Sequence, residues 1–258
     1  MIKVSSFSNP WLVFPQPNPD CKLRLLCFPY AGGGTSMFWN WSAHFSPFVE
    51  ICAVRLPGRE TRYQEPAFTD MDLLIEALID PLLPVLDKPF VFFGHSMGAL
   101  VSFELARFLR KRYGLTPKQL LVSARRAPQI PHQTPPLFNL PEPDFLEEIR
   151  RFNGIPSTIL EDRELMQLFL PTLRADFSVL ETYQYVSEKL LDCPINVFGG
   201  LQDTQVTVEE LEAWQEQTLG DFSLQMFPGD HFFLNTASQK KLLESISSIL
   251  EKILNPGI

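Results

Sequence analysis

The chain has 258 residues, 45% of them hydrophobic and 20% charged, which suits one sizeable globular domain with a substantial core. A formal net charge of −8 argues against nucleic acid as a partner. No uncharged run approaches the roughly 18 residues that span a bilayer, and the N-terminal MIKVSSFSNPWLVF lacks the features of a signal peptide. A cytoplasmic protein away from the membrane is therefore expected.

In chain order, WLVF (11–14) reads as an edge strand before the proline-rich PQPNPD, and LRLLCF (23–28) as the first main strand. The loop FPYAGGGTSMFW follows it, and then the strand VEICAV (49–54). A helix is predicted over 69–87, a strand at FVFFG (90–94), a helix over 97–113 and a strand at LLVSA (120–124). Beyond 190 come a strand at INVFG (195–199), a helix over 207–219, a strand at FSLQMF (222–227) and a helix over 236–254. Most of these strands show little polar alternation, as expected for parallel strands buried on both faces. The alternation of strand and helix predicts an α/β fold with a mostly parallel sheet flanked by helices. Cys21, Cys27, Cys52 and Cys193 show no CxxC spacing and no histidine cluster, so buried reduced thiols are expected, with no disulfide and no structural zinc.

Residues 127–190 break the rhythm. APQIPHQTPPLFNLPEPD holds six prolines and cannot continue a helix or strand. Two helical stretches follow it. Phe145, Ile149 and Phe152 share one face of the first; Leu165, Leu168, Phe169, Leu173, Phe177 and Leu180 share one face of the second, with Pro171 expected to bend it. The resulting division is a core of 1–126, a helical lid of 127–190 and a second core portion of 191–258. The alternative is a helical layer that only enlarges the core.

GHSMG (94–98) matches G-x-S-x-G between a predicted strand and a predicted helix, the context of a nucleophile elbow. There Ser96 stands at a helix N-terminus beside the free N–H of Met97. A serine hydroxyl needs a base to take its proton, and the chain has four histidines. His95 adjoins Ser96 and diverges from it on a tight turn; His44 reads as packing beside Trp39, Trp41 and Phe45; His132 lies in the proline-rich stretch. His231, after the last strand in FPGDHFFL, sits at the sheet edge where reacting groups gather in open α/β folds. Asp203 in FGGLQDTQV emerges at the same edge and is the orienting carboxylate, or else a turn or helix-capping residue before TVEEL. Asp230 is too close to His231 in sequence, and Asp192 precedes its strand. The order Ser96, Asp203, His231 is that of α/β-hydrolases. An oxyanion needs two donors; Met97 N–H is one, and Ala31, ahead of the glycine run, is the preferred second. The run itself lacks the Lys-Ser/Thr of a phosphate loop.

FPYAGG, LPGRE, GHSMGA, SARRAP, GGLQD and GDHFFL together resemble the type II thioesterases that accompany non-ribosomal peptide and polyketide synthases, over nearly the whole chain. The resemblance implies an α/β-hydrolase fold with an inserted helical lid, Ser96, Asp203 and His231 as the triad, and Ala31 and Met97 as oxyanion donors. It implies hydrolysis of acyl thioesters on the phosphopantetheine arm of acyl or peptidyl carrier proteins, by a monomer without metal or cofactor. Similar enzymes release medium-chain fatty acids from animal fatty acid synthase. An esterase or acyltransferase acting on oxygen esters would carry the same triad, and an inert binding partner is a third reading. Arg55, Arg59 and Arg62 around LPGRE, with Arg125 and Arg126, read either as contacts for an acidic carrier or its phosphate, or as structural arginines paired with Glu60, Glu65 or backbone carbonyls. The structural reading is preferred.

Overall fold

The computed structural model describes residues 9–131, 135–152, 154–155 and 157–256. The first eight residues and His132 lie outside them. Seven strands form one sheet: β1 (Leu12–Val13), β2 (Leu23–Phe28), β3 (Val49–Val54), β4 (Phe90–His95), β5 (Gln119–Ser123), β6 (Ile195–Gly200) and β7 (Phe222–Phe227). Their spatial order is β1-β3-β2-β4-β5-β6-β7, and every pairing is parallel except β1 on β3. The helices are α1 (Met71–Leu82), α2 (Met97–Tyr113), α3 (Glu142–Arg151), α4 (Ser157–Leu160), α5 (Arg163–Glu181), α6 (Val208–Glu212) and α7 (Gln239–Leu254). Among the described residues no helix is long and apolar enough to cross a membrane.

Strand periodicity divides the core in two. Leu26, Phe28, Cys52, Val54 and Phe92 face α1 and α2 on one side, while Leu25, Cys27, Ile51, Ala53, Val91 and Phe93 face α7 on the other. Both faces are covered, which is why these strands read as continuous apolar runs. All four cysteines are buried and unpaired, and burial holds the Cys27 and Cys52 thiols well above their usual range.

Three expected helices are shorter in the structure. Asp70 caps α1 through Leu73 N–H at 3.0 Å, but Pro81 and Pro84 remove N–H donors, and the chain tightens into a 3₁₀ turn over Leu83–Val85. The helix expected over 207–219 is α6 followed by a 3₁₀ turn from Ala213 to Gln217. At α7, Thr236–Ser238 form a turn in which Ser238 donates to Pro228 O at 2.5 Å, so the helix begins at Gln239.

α5 runs unbroken through Pro171, and its buried face keeps Phe169, Leu173, Phe177 and Leu180 of the one read from the sequence but not Leu165 and Leu168. Leu165 and Leu168 are exposed, whereas Met166, Leu170 and Leu173 are buried with Phe145 and Ile149 of α3 in a separate core. Phe169 and Phe177 pack against that core and Leu180 joins the main one, so the apolar surplus at 165 and 168 is what masked the seam. Thr172, Asp176 and Ser178 are also buried, because the other side of α5 lies on the β-sheet domain. Its Thr172 hydroxyl donates to Gly58 O at 2.6 Å and its Ser178 hydroxyl to Thr69 O at 3.0 Å.

Candidate active site

β4 ends where α2 begins, and Ser96 between them has φ 51° and ψ −110°, a strained conformation for a residue with a side chain. Two close approaches hold it there. A Cβ on Gly94 would collide with the Gly98 carbonyl oxygen, and one on Gly98 would fall on the Phe28 carbonyl, 2.6 Å from its carbon and 2.7 Å from Pro29 O. Ser96 N–H donates to Ser123 O of β5 at 2.8 Å. The serine thus sits at the C-terminal edge of the sheet, at the N-terminus of a 17-residue helix.

Asp203 and His231 come to the same edge from the ends of β6 and β7. Their loops are stitched together: Gln202 N–H donates to Gly229 O at 2.9 Å, and Gly229 N–H to Gln202 Oε1 at 2.6 Å. Only glycine fits at 200, where a Cβ would lie 2.6 Å from Gly229 O. Asp203 Oδ2 then meets His231 Nδ1 at 2.8 Å, with the two side chains 1% and 6% exposed. The other carboxylate oxygen accepts from Gln205 N–H at 2.8 Å, so Asp203 serves both the imidazole and its own turn. The cap of α6 is Thr207, with Glu210 completing a capping box.

The rejected candidates are elsewhere. Asp230 accepts from Phe232 N–H at 2.9 Å, and Asp192 lies 3.5 Å from Lys189. His44 is exposed rather than packed; Trp41 takes the buried place in that short turn. His95 points away from Ser96 into the interior, with Nδ1 2.8 Å from Ser123 Oγ and its ring 5.5 Å from that of His231. Burial, reinforced by the neighbouring His231, holds its pKa well below the usual value, so it stays neutral.

Tyr30, Ala31 and Gly32 turn back under α5, with Gly33 N–H donating to Tyr30 O at 2.8 Å and Gly32 at φ +74°, where glycine is favoured. Among the described residues, no acceptor takes the N–H of Ala31 or of Met97. Ser96, His231 and Ala31 open together into a cavity of about 380 Å³. Its walls include Ile149, Phe152, Leu173, Phe177 and Leu180 of the 142–181 helices.

A model of the thioesterase domain matches residues 23–253. The chain belongs to the thioesterase domain family. It is 46% identical over 250 residues to the gramicidin S biosynthesis protein GrsT of Aneurinibacillus migulanus, covering 97% of both chains. It is 42% identical to the linear gramicidin dehydrogenase LgrE of Brevibacillus parabrevis, over 95% of this chain and 94% of that one. Among solved structures, the type II thioesterase BorB from the borrelidin biosynthetic cluster superposes with a TM-score of 0.84 at 35% identity, covering 92% of this chain and 96% of BorB.

The arginines of this thioesterase divide. Arg55 donates to Pro10 O at 2.9 Å, and Arg62 pairs with Glu65 at 2.6 Å beneath the Trp11 ring. Both fit the structural reading. Among the described residues Glu60 takes no arginine; it accepts from Thr35 N–H at 2.6 Å and from the Thr35 hydroxyl. Arg59 donates to Gly33 O at 2.9 Å and pairs at 2.8 Å with Asp176 on α5, both side chains being buried. Arg125 and Arg126 face the cavity and an adjoining one of about 460 Å³. Burial beside Arg126 lowers Arg125 to about 10. The sequence reading passed over Asp176. Its signal was a carboxylate at 176 within the apolar stripe of Leu173, Phe177 and Leu180.

Proposed function

We propose that this protein is a type II editing thioesterase that hydrolyses acyl thioesters carried on the phosphopantetheine arm of acyl or peptidyl carrier proteins, with Ser96, Asp203 and His231 as its triad. The observation that carries this is the buried 2.8 Å contact of Asp203 with His231, opening with Ser96 onto one largely apolar cavity. With Nδ1 engaged by Asp203, Nε2 is the nitrogen left to take the serine proton. Ser96 Oγ attacks the thioester carbonyl, and the N–H groups of Ala31 and Met97 receive the oxyanion. The thiol leaves with the proton held on His231, and an acyl-serine remains. Water, deprotonated by the same histidine, releases the acid and restores the serine.

Residues 127–190 act in this reading as a lid. The separate packing of α3 with α5 and their share of the cavity wall support that role. The enzyme acts as a monomer, and in the cytoplasm, where four unpaired thiols remain reduced. The dehydrogenase activity named for LgrE is not carried over. Residues 32–37 after β2 read GGGTSM, with Met37 where the dinucleotide fingerprint G-x-G-x-x-G has its third glycine.

The test is intact-mass spectrometry of an acyl-loaded carrier protein treated with wild type or Ser96→Ala, alongside a p-nitrophenyl ester of the same acyl group. Faster release from the carrier than from the ester, with both lost in Ser96→Ala, is the expected result. Rapid ester hydrolysis with the carrier left loaded would refute the carrier assignment and leave the triad standing.

A further inference from the structure

The loop that carries Ala31 is held from the helical insertion by a buried carboxylate. Asp176 Oδ2 accepts the N–H of Gly32, the residue after Ala31, at 2.7 Å, and its Oδ1 accepts from Arg59 at 2.8 Å. Arg59 also donates to Gly33 O at 2.9 Å, so one ion pair grips the turn at two successive residues. The exposures are 6% for Arg59 and 3% for Asp176. Glu60 holds the far end of the same loop at Thr35. A Cβ on Gly32 would lie 2.5 Å from Leu173 Cδ2, so the turn passes directly beneath α5.

The direction of Ala31 N–H depends on the peptide planes around it. Gly33 N–H closes the turn on Tyr30, and Asp176 fixes the plane between Ala31 and Gly32. We propose that Asp176, gripped by Arg59, is a positioning residue that aims the Ala31 N–H at the developing oxyanion. Because Asp176 stands on α5, the second oxyanion donor is aligned only while α5 is docked. This inference rests on the assignment of Ala31 as an oxyanion donor. An ion pair serving only to anchor the helix would not need to touch Gly32, and Thr172 and Ser178 already supply anchoring contacts.

The experiment compares Asp176→Ala, Asp176→Asn and Thr172→Val with wild type. Thr172→Val deletes an anchoring bond of α5 without touching the turn. Each is measured for kcat and KM on a p-nitrophenyl ester, for fluorophosphonate labelling of Ser96 and for melting temperature. Expected for Asp176→Ala is a kcat lower by about 10- to 100-fold, less than outright loss of a donor, with KM within twofold and Ser96 labelling slowed in parallel. Asp176→Asn keeps an oxygen to accept from Gly32 and recovers most of that loss. Thr172→Val lowers the melting temperature with kcat unchanged. If Asp176→Ala only lowers the melting temperature, or if Thr172→Val loses kcat equally, the positioning role is overturned. If Asp176→Ala does not fold, Asp176→Asn decides. A folded Asp176→Asn slower than wild type by about 10-fold or more, although it keeps the acceptor for Gly32 N–H, would equally overturn it. Because the ester and the label do not involve a carrier protein, failure of the carrier assignment would leave this test readable.

Discussion

Replacing Gly98 by alanine tests how the elbow sets the gap between the two proposed oxyanion donors. Gly98 lies in the first turn of α2, directly against the Phe28 carbonyl at the end of β2. An added methyl would stand 2.6 Å from Phe28 C and 2.7 Å from Pro29 O, where ordinary contact is 3.4–4 Å. Both neighbours are backbone, so no side chain can swing away. Relief requires α2 and β2 to part by about 1 Å. Met97 stands on one side of that contact and the Pro29–Tyr30–Ala31 turn on the other, so the separation falls directly on the two proposed donors. Misplacement by 1 Å at a reacting centre costs about 10²-fold, and complete loss of one donor about 10²–10³-fold. The overpacking itself costs about 1–3 kcal/mol of stability. Expected for Gly98→Ala is therefore a folded protein with a lower urea midpoint and a kcat reduced by at least about 100-fold. The assay is p-nitrophenyl ester turnover beside urea denaturation followed by tryptophan fluorescence. A folded variant with kcat within threefold of wild type would refute the reasoning, since the donors would then not depend on this contact.

Two further outcomes follow from the site. Asp203→Asn keeps the shape of the loop but can hold His231 in the wrong tautomer, so turnover should fall by about 10⁴-fold with circular dichroism unchanged; a loss below about tenfold would remove Asp203 from the proposed triad. His95 is buried with a depressed pKa. Below its unfolded value of about 6.5 the unfolded chain takes up a proton that the folded chain does not, so stability is present above that pH and falls beneath it. The slope contributed is up to about 1.4 kcal/mol per pH unit, and His95→Gln should flatten the pH dependence of the urea midpoint between pH 6.5 and 5. An unchanged slope would show that another group carries it.

The strand runs and the G-x-S-x-G turn were legible because their causes are local. A strand buried on both faces needs a continuous apolar run, and a serine on a sharp elbow needs small neighbours at 94 and 98. Asp203 and His231 were legible through chain order and their place after strands, although nothing local to either says that they meet. That contact depends on the stitching of Gln202 to Gly229 between adjacent parallel strands. The fold of residues 127–190 was legible only in part. Helical periodicity in α5 offered more apolar positions than one seam can use, and the choice among them was made by what α5 packs against: α3 on one side and the β-sheet domain on the other. For the same reason Arg59 read as an ordinary loop arginine and Asp176 was passed over. They lie 117 positions apart in the chain, and only the docking of α5 over the Ala31 turn brings them together. The sequence by itself determined the sheet, the elbow and the chemistry available at its edge. Tertiary structure decided which long-range partners aim that chemistry, because a buried ion pair depends on the geometry of two distant segments and leaves no periodic trace in either.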